Sequence, residues 1–530
     1  MNLKNCCLYN IPCVPAFLCA LCVHIFLCVL CDSVFPDLLW PLKEKTYITG
    51  TFGEFRRNHI HAGVDISTLG KTGLPVYAGD DGTLYRLKTQ FLGYGKAVYI
   101  KLNNGNILLY AHLDRFSPEI NNLVIQEQEK ASQYEIDYIA KEDIPIRRGQ
   151  IIGYTGDTGG SAPHLHIEMR DKNDHPINIL QKGLFYEDKT PPVIGGLAVC
   201  DPFNTYCISY YPSEKIPKEI SVSEGACLAI SAYDLSNGNK IGVHEIELEI
   251  DGKLFFSVEM DVFSYDNYND NFIPYNRDIY ISKDKIFYNL FKAFNNKLPF
   301  YPQDKDGILR LPNGRHTAKI TVKDNAGNAS SLNFTIIPKS FELPSHVADF
   351  IEKWLSKDNL FSLLIQKKNL YYPTKVDIRL SPSVKAGELI PASQIYDLFP
   401  KAAVFSKAEI EIKNMSNTAR TGLYKYETGK WKYMEDNLIR VFSKYALFQD
   451  TTPPSIQIAS LYPLFRVKID DKGSGLNYEK LSLFIDKKKV IAEYSVTRKE
   501  LFYRLQSKGH KILCEASDKA GNTNKKEIQI

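Results

Sequence analysis

Net charge is what this chain most lacks. Across 530 residues, 65 Lys and Arg stand against 61 Asp and Glu, a formal charge of +4. So small an excess excludes the strong basic field on which nucleic-acid binding depends. Cysteine is scarce beyond the N-terminus. Seven of the 11 lie in residues 1–31, leaving only Cys200, Cys207, Cys227 and Cys514. Four thiols are too few to staple a chain of this length. A long helical period is missing from residues 36–186, which excludes a helical fold there. The polarity of a disordered chain is missing too, because 44% of residues are apolar and 24% charged.

What is present leans toward β structure. Tyrosine is abundant at 32, aromatics reach 12%, and 27 Pro and 32 Gly are scattered through short turns. The length predicts roughly three to four domains. Residues 1–32 differ from the rest. Lys4 is the only charge before Asp32, and Ile11 to Cys31 are 21 uncharged, mostly apolar residues. This pattern reads as a secretory signal peptide, with an uncleaved anchor helix as the alternative. Pro12, Pro15 and His24 count against a span, and Leu30 is a poor fit for lipidation of Cys31. Export is therefore expected, to the periplasm or cell envelope.

Residues 36–186 form a first block of short alternating runs, such as "GYGKAVYIKL" and "NILLYAHL", and are expected to be an antiparallel β domain. Residues 117–147 are polar and read as a long loop with a short helix, a candidate lid. Two later segments repeat each other. One opens with "DKTPPVIGG" at Asp188 and closes with "GRHTAKITVKDNAGNASS"; the other opens with "DTTPPSIQI" at Asp450 and closes with "KGHKILCEASDKAGNTNK". Pro-Pro cannot extend a ladder, and Ala-Gly-Asn turns the chain into a last strand. Both segments, 188–338 and 450–530, resemble bacterial immunoglobulin-like β-sandwiches, the first with an insertion. Residues 339–449 read as a further β domain in which "SHVADFIEKWLSK" has helical spacing. Cys200 and Cys207 could pair across a strand–turn–strand, or remain buried thiols, while Cys227 and Cys514 sit in apolar runs as core residues.

Five of the 11 histidines fall between residues 59 and 166. Three local patterns hold four of them: "HAGVD" gives His61 and Asp65, "YAHLD" gives His112, and "PHLHIE" gives His164 and His166. In a strand, residues two apart share a face, so His164 and His166 project side by side, with Glu168 on the same face. His61 and Asp65 share a face in the same way. Zinc takes about four ligands from His, Cys, Asp or Glu, and a catalytic site keeps one position open. Each pattern alone is weak, since an isolated His-x-His is usually structural.

In order, "TGTFGEFRRNHIHAGVDI", "GLPVYAGDDGTL", "YGKAVYIKLNNGNILLYAHL" and "RRGQIIGYTGDTGGSAPHLHIE" resemble the lysostaphin-like, LytM-type zinc metalloendopeptidases, over residues 48–180. The resemblance implies a β-sheet groove with one zinc held by His61, Asp65 and His166. It implies catalytic roles for His112 and His164, and hydrolysis of the peptide part of peptidoglycan. Ala162 departs from the family, where a glycine commonly stands before the Pro-His-Leu-His run. The rival expectation is a catalytically silent relative that regulates another wall hydrolase, with envelope partners engaged through the C-terminal β domains. Arg56 and Arg57 are candidate contacts to an anionic stem peptide or solvated charges, and His59 is expected to neighbour the site without a role in it.

Overall fold

The computed structural model describes residues 37–201, 207–339, 352–372, 374–413 and 419–530. The expected signal segment, residues 1–32, lies outside them. Among the described residues α-helix is confined to Pro118–Ala131 and Arg277–Lys283, and the remainder is strand, turn and short 3₁₀ helix. The all-β expectation holds.

The first large sheet runs, in spatial order, through Ile48–Gly50, Val64–Ser67, His164–Arg170, Ile107–Ala111, Lys96–Leu102, Gly82–Thr89 and Ile136–Ile139. All its pairings are antiparallel. Period-2 alternation sorts its two faces. Val64, Ile66, Leu108, Tyr110, Leu165 and Ile167 point into one apolar core. The opposite face carries Asp65, His164, His166 and Glu168, beside a small cluster of Ala97, Tyr99, Leu109 and Ala111. Central strands buried on both faces therefore position the polar residues on a rigid floor.

Residues 117–147 are not a lid. Pro118 starts a 14-residue helix whose Ile120 and Val124, one turn apart, enter the main core. Ser132 ends it in the left-handed conformation. The chain then adds Ile136–Ile139 to the edge of the sheet, with the Gly82–Thr89, Lys96–Leu102 and Ile107–Ala111 strands between it and His164–Arg170. The expected short helix runs to 14 residues in a polar stretch because only two or three of its positions need to be apolar to dock on an existing core.

After Pro192, one sheet contains Val193–Cys200 and Cys227–Ser236, and a second contains Glu245–Ile250 and His316–Lys323. Both close on one core that also takes Phe52, Ile60 and Ala62 from the first sheet's loops. In the second sheet Glu219–Ser223 pairs with Ala329–Lys339 in parallel. The final segment has two four-stranded sheets around a separate core that takes Phe91 from the first sheet's loops. Lys96 Nζ also meets Glu493 Oε1 at 2.7 Å across that junction. The two repeating segments reproduce each other's side-chain bonds: His316 Nδ1 to Asp251 Oδ2, and His510 Nδ1 to Asp486 Oδ2, both at 2.7 Å.

Within residues 339–449 the helical reading of "SHVADFIEKWLSK" fails where it is described. Lys353–Leu355 is a strand paired with Phe361–Leu364, so tertiary pairing overrides a short helical period. The rest of that stretch up to residue 351 lies outside the described residues. Cys200 and Cys207 stand opposite each other in adjacent antiparallel strands, as the strand–turn–strand reading requires, but both are free thiols. Cys227 and Cys514 are buried, as their apolar runs imply.

Candidate metal centre

Five residues from three separate stretches meet on the polar face of the first sheet. Register does most of the work. His166 lies opposite Asp65 on one neighbouring strand and opposite Ala111 on the other. His112 follows Ala111 directly, with φ of 59°, so the strand's end turns its ring back over the floor. His61 precedes the Val64–Ser67 strand, and Gly63 lies between them. A Cβ on Gly63 would sit 2.3 Å from Ile167 O and 3.1 Å from His166 Cε1, so only glycine lets the "HAGVD" backbone pass His166.

Three ligand atoms converge. His61 Nε2 is 3.1 Å from Asp65 Oδ1 and 3.2 Å from His166 Nδ1, and His166 Nδ1 is 2.9 Å from Asp65 Oδ1. Ligands bonded to zinc at 2.0–2.2 Å in a tetrahedron are about 3.3 Å apart. The triangle thus has nearly the size of one tetrahedral face, and its donors are the oxygen and imidazole nitrogens zinc accepts. Two imidazole nitrogens held this close are otherwise poorly placed, since their lone pairs repel unless a cation or proton lies between them.

The surrounding hydrogen bonds assign the tautomers. His61 donates from Nδ1 to Thr51 O at 2.7 Å, which leaves Nε2 as the lone pair. His166 donates from Nε2 to Glu168 Oε1 at 2.9 Å, which leaves Nδ1. Glu168 is fully buried and compensated on every side. Arg170 Nε donates to its Oε2 at 2.9 Å, Tyr265 Oη to the same oxygen at 2.8 Å, and Tyr94 Oη to Oε1 at 2.6 Å. Asp65 is held from the other end, where Arg56 Nη2 reaches its Oδ2 at 2.7 Å while Arg56 Nη1 reaches Glu54. Arg56 is thus committed to Asp65 and Glu54, whereas Arg57 is exposed.

His164 and His112 sit beside the triangle. Their rings are 4.6 Å apart. His164 Nε2 lies 3.4 Å from Asp65 Oδ1, and its Nδ1 donates to Ala162 O at 2.7 Å. His112 Nδ1 donates to Thr158 O at 2.8 Å. Ala162, the departure from the family pattern, therefore contributes through its carbonyl, which any residue supplies. His59 stays apart, its ring stacked on Tyr268 at 4.6 Å.

Electrostatics follow from these contacts. Burial lowers the pKa of His112 to about 3, with the neighbouring His164 and His166 adding to the effect. Burial also lowers His61. His166 goes the other way: burial opposes its charge, but Asp65 and Glu168 outweigh it and raise the pKa to about 9. Burial works against the Asp65 carboxylate as well, yet His61 and the hydrogen bonds from His164 and His166 hold its pKa well below the ordinary value. Carboxylates that attract a proton to His166 would attract a metal cation there equally.

The five residues expected from sequence are thus brought together. Sequence reasoning missed the supports, namely Thr51, Tyr94, Arg170 and Tyr265. Arg170 was within reach, because the period that sets His164, His166 and Glu168 on one face places it there too. Tyr265 carries no local signal, coming from the insertion of the following segment.

Residues 59–131 match the model of peptidase family M23. That stretch includes His61, Asp65 and His112. The DD-carboxypeptidase/endopeptidase Mpg of Neisseria meningitidis serogroup B is 36% identical over 120 residues, 22% of this chain and 22% of that protein. The murein hydrolase activator NlpD of Escherichia coli is 29% identical over 143 residues, 27% of this chain and 30% of that protein. The chain thus spans between a fifth and a third of these relatives' lengths. Among solved structures, the catalytic domain of the prophage-encoded M23 protein EnpA from Enterococcus faecalis is 22% identical with a TM-score of 0.21, covering 28% of this chain and 95% of that one.

Proposed function

We propose that this chain is an exported zinc-dependent endopeptidase that hydrolyses peptide cross-links of peptidoglycan. Residues 36–186 are its peptidase domain, 188–338 and 450–530 its immunoglobulin-like sandwiches, and 339–449 a further β domain. The observation that carries the reading is the triangle of His61 Nε2, Asp65 Oδ1 and His166 Nδ1, with edges of 2.9–3.2 Å and two more histidines on its open side. The likeness of the surrounding residues to the DD-carboxypeptidase/endopeptidase Mpg and to the murein hydrolase activator NlpD supports peptidoglycan as the substrate and, with it, the envelope as the place.

His61, Asp65 and His166 would hold the ion. When bound there, zinc supplies Lewis-acid polarisation of a peptide carbonyl and of water. The chain's own residues supply the rest. Asp65 and Glu168 bring negative charge to a buried site, and Arg56 and Arg170 fix their orientation. His112 has committed Nδ1–H to Thr158 O and is kept neutral by burial, so Nε2 is left as an acceptor. His164, tethered to Ala162 O, stands over the triangle within reach of a proton released there. Together they orient a nucleophile, accept its proton, and stabilise charge on a tetrahedral oxyanion.

The test uses residues 33–530. About one zinc per chain is expected, with soluble muropeptides released from peptidoglycan. His61→Ala and His166→Ala should lose both zinc and cleavage, whereas His112→Ala should keep zinc and lose cleavage. Absence of zinc would overturn the metal site. Full zinc without cleavage of any peptidoglycan would instead support a regulator of another wall hydrolase, the reading favoured by the likeness to NlpD.

A further inference from the structure

A set of buried and half-buried carboxylates lies outside this site, and it occurs twice. Asp188, Asp234 and Asp324 each bring an oxygen within 4.8 Å of the others, and so do Asp450, Asp471 and Asp518. The two groups come from equivalent places in the repeating segments. Asp188 and Asp450 open the Pro-Pro entries, while Asp324 and Asp518 open the Asp-x-Ala-Gly-Asn turns. Asp234 and Asp471 close the loop side of an intervening strand.

Part of the local bonding is the same in both. Thr190 N donates to Asp188 Oδ1 at 2.9 Å, and Thr452 N to Asp450 Oδ1 at 3.1 Å. Asn328 donates from N and from Nδ2 to the two oxygens of Asp324, each at 2.9 Å, and Asn522 does so to Asp518, each at 2.7 Å. The same amides reach back to the carbonyls of Asp188 and Asp450. These bonds hold each carboxylate in place, but they do not neutralise three of them together.

The first group also leaves oxygens without donors. Asp234 is 1% exposed; its Oδ1 accepts from Leu235 N at 2.7 Å, but its Oδ2 is buried with no hydrogen-bond partner. Asp188 Oδ2 is likewise buried and unpartnered. After burial, the charged groups acting most on Asp234 are the carboxylates Asp188 and Asp324, the first within hydrogen-bonding reach. Buried carboxylate oxygens brought together without a donor or countercharge are costly. A proton or a metal cation between them removes that cost.

In the second group the oxygens are better served: Asp450 Oδ2 accepts from Ser474 N at 2.6 Å, and Asp471 Oδ2 from Gly473 N at 3.0 Å and Gly475 N at 2.6 Å. We propose that the first repeating segment binds one calcium ion through Asp188, Asp234 and Asp324. All-oxygen donors select a hard cation, and calcium accepts such sets at 2.3–2.6 Å in flexible geometry, with waters completing its shell. Ligands on opposite sides of such an ion are about 5 Å apart, so an ion can reach all three oxygens. The site ties the Pro-Pro entry at Asp188 to a sandwich loop, so calcium would fix the joint leading from the peptidase sheet. This ion is separate from the zinc of the histidine site.

The test uses the full chain stripped of divalent ions and reloaded with one equivalent of zinc. Equilibrium dialysis against CaCl2 should find one calcium ion per chain, with calcium raising the melting temperature. Asp234→Asn should bind none and Asp471→Asn one, both with unchanged zinc. Because the amide relieves carboxylate repulsion, each variant should melt no lower than the parent without calcium, which separates ion loss from misfolding. Parent protein that binds no calcium at millimolar concentration would overturn the proposal in favour of a proton shared between Asp188 and Asp234. Asp234→Asn that still binds calcium, or Asp471→Asn that loses it, would overturn the assignment of ligands.

Discussion

Glu168 accepts the Nε2–H of His166 at 2.9 Å, and this bond decides which nitrogen of His166 faces Asp65 and His61. The two residues are neighbours on one strand face, so the orientation is built into the register. Glu168 is also the counter-charge of Arg170, which is 4% exposed. Glu168→Gln should therefore weaken zinc binding by roughly 10–100-fold while leaving all three ligands in place. It should also destabilise the fold, because Arg170 loses its partner. Competition with a chromophoric chelator reads the first effect and thermal melting the second. Zinc affinity equal to that of the parent would show that Glu168 does not position His166.

Zinc uptake should consume a proton site. In the metal-free protein Asp65 and Glu168 raise His166 to about 9, against burial, so at neutral pH that ring carries a proton which the metal must displace. Apparent zinc affinity should fall about tenfold for each pH unit below that value, until the other ligands add their own protons. The metal-free fold responds in the opposite sense. A histidine whose pKa is raised from 6.5 to about 9 stabilises fully below 6.5, and that stability is lost as pH rises to about 9. Zinc titrations and melts across this range check both. Affinity independent of pH would contradict the protonated ring.

His59 should behave unlike its neighbours. Burial, with the nearby His61 and Arg56, lowers it to about 4, so it is a neutral ring stacked on Tyr268. His59→Ala should keep full zinc and lose about 0.5–1.5 kcal/mol of stability, the worth of an aromatic pair. Loss of zinc comparable to His61→Ala would place His59 in the metal site after all.

The centre was legible in sequence because strand alternation is strict. His164, His166, Glu168 and Arg170 fall on one face by counting, and glycines such as Gly63 mark where the backbone passes close. Pairing between strands is a different matter. That His166 would lie opposite Asp65, and that Tyr265 would reach Glu168 from 97 residues away, depends on long-range packing with no local signature. The helix at Pro118–Ala131 is longer than the short helix expected there, for a related reason. Ile120 and Val124 suffice to dock it, and the core they dock on is supplied by strands before and after it. The strand at Lys353–Leu355 shows the converse, with a pairing partner overriding three residues of helical spacing.

The paired aspartate clusters give a last outcome, readable by pH alone. Burial first, and then Asp188 and Asp324, raise Asp234 to about 7 from an ordinary 3.8. Burial with Asp450 and Asp518 raises Asp471 to about 6. Between 3.8 and these values the folded chain keeps protons that the unfolded chain has released. Without calcium, stability should therefore fall as pH rises from about 4 to about 7. Calcium binds the deprotonated carboxylates of the first cluster and should flatten the part of that decline set by Asp234. Asp234→Asn should remove the same part, which extends furthest toward pH 7, and leave the part centred near 6 that Asp471 sets. Melting curves at fixed ionic strength, with CaCl2 or with chelator, distinguish the cases. A calcium-free melting temperature constant over that range would mean that the clustered carboxylates do not repel one another, and with that the need for a cation between them would disappear.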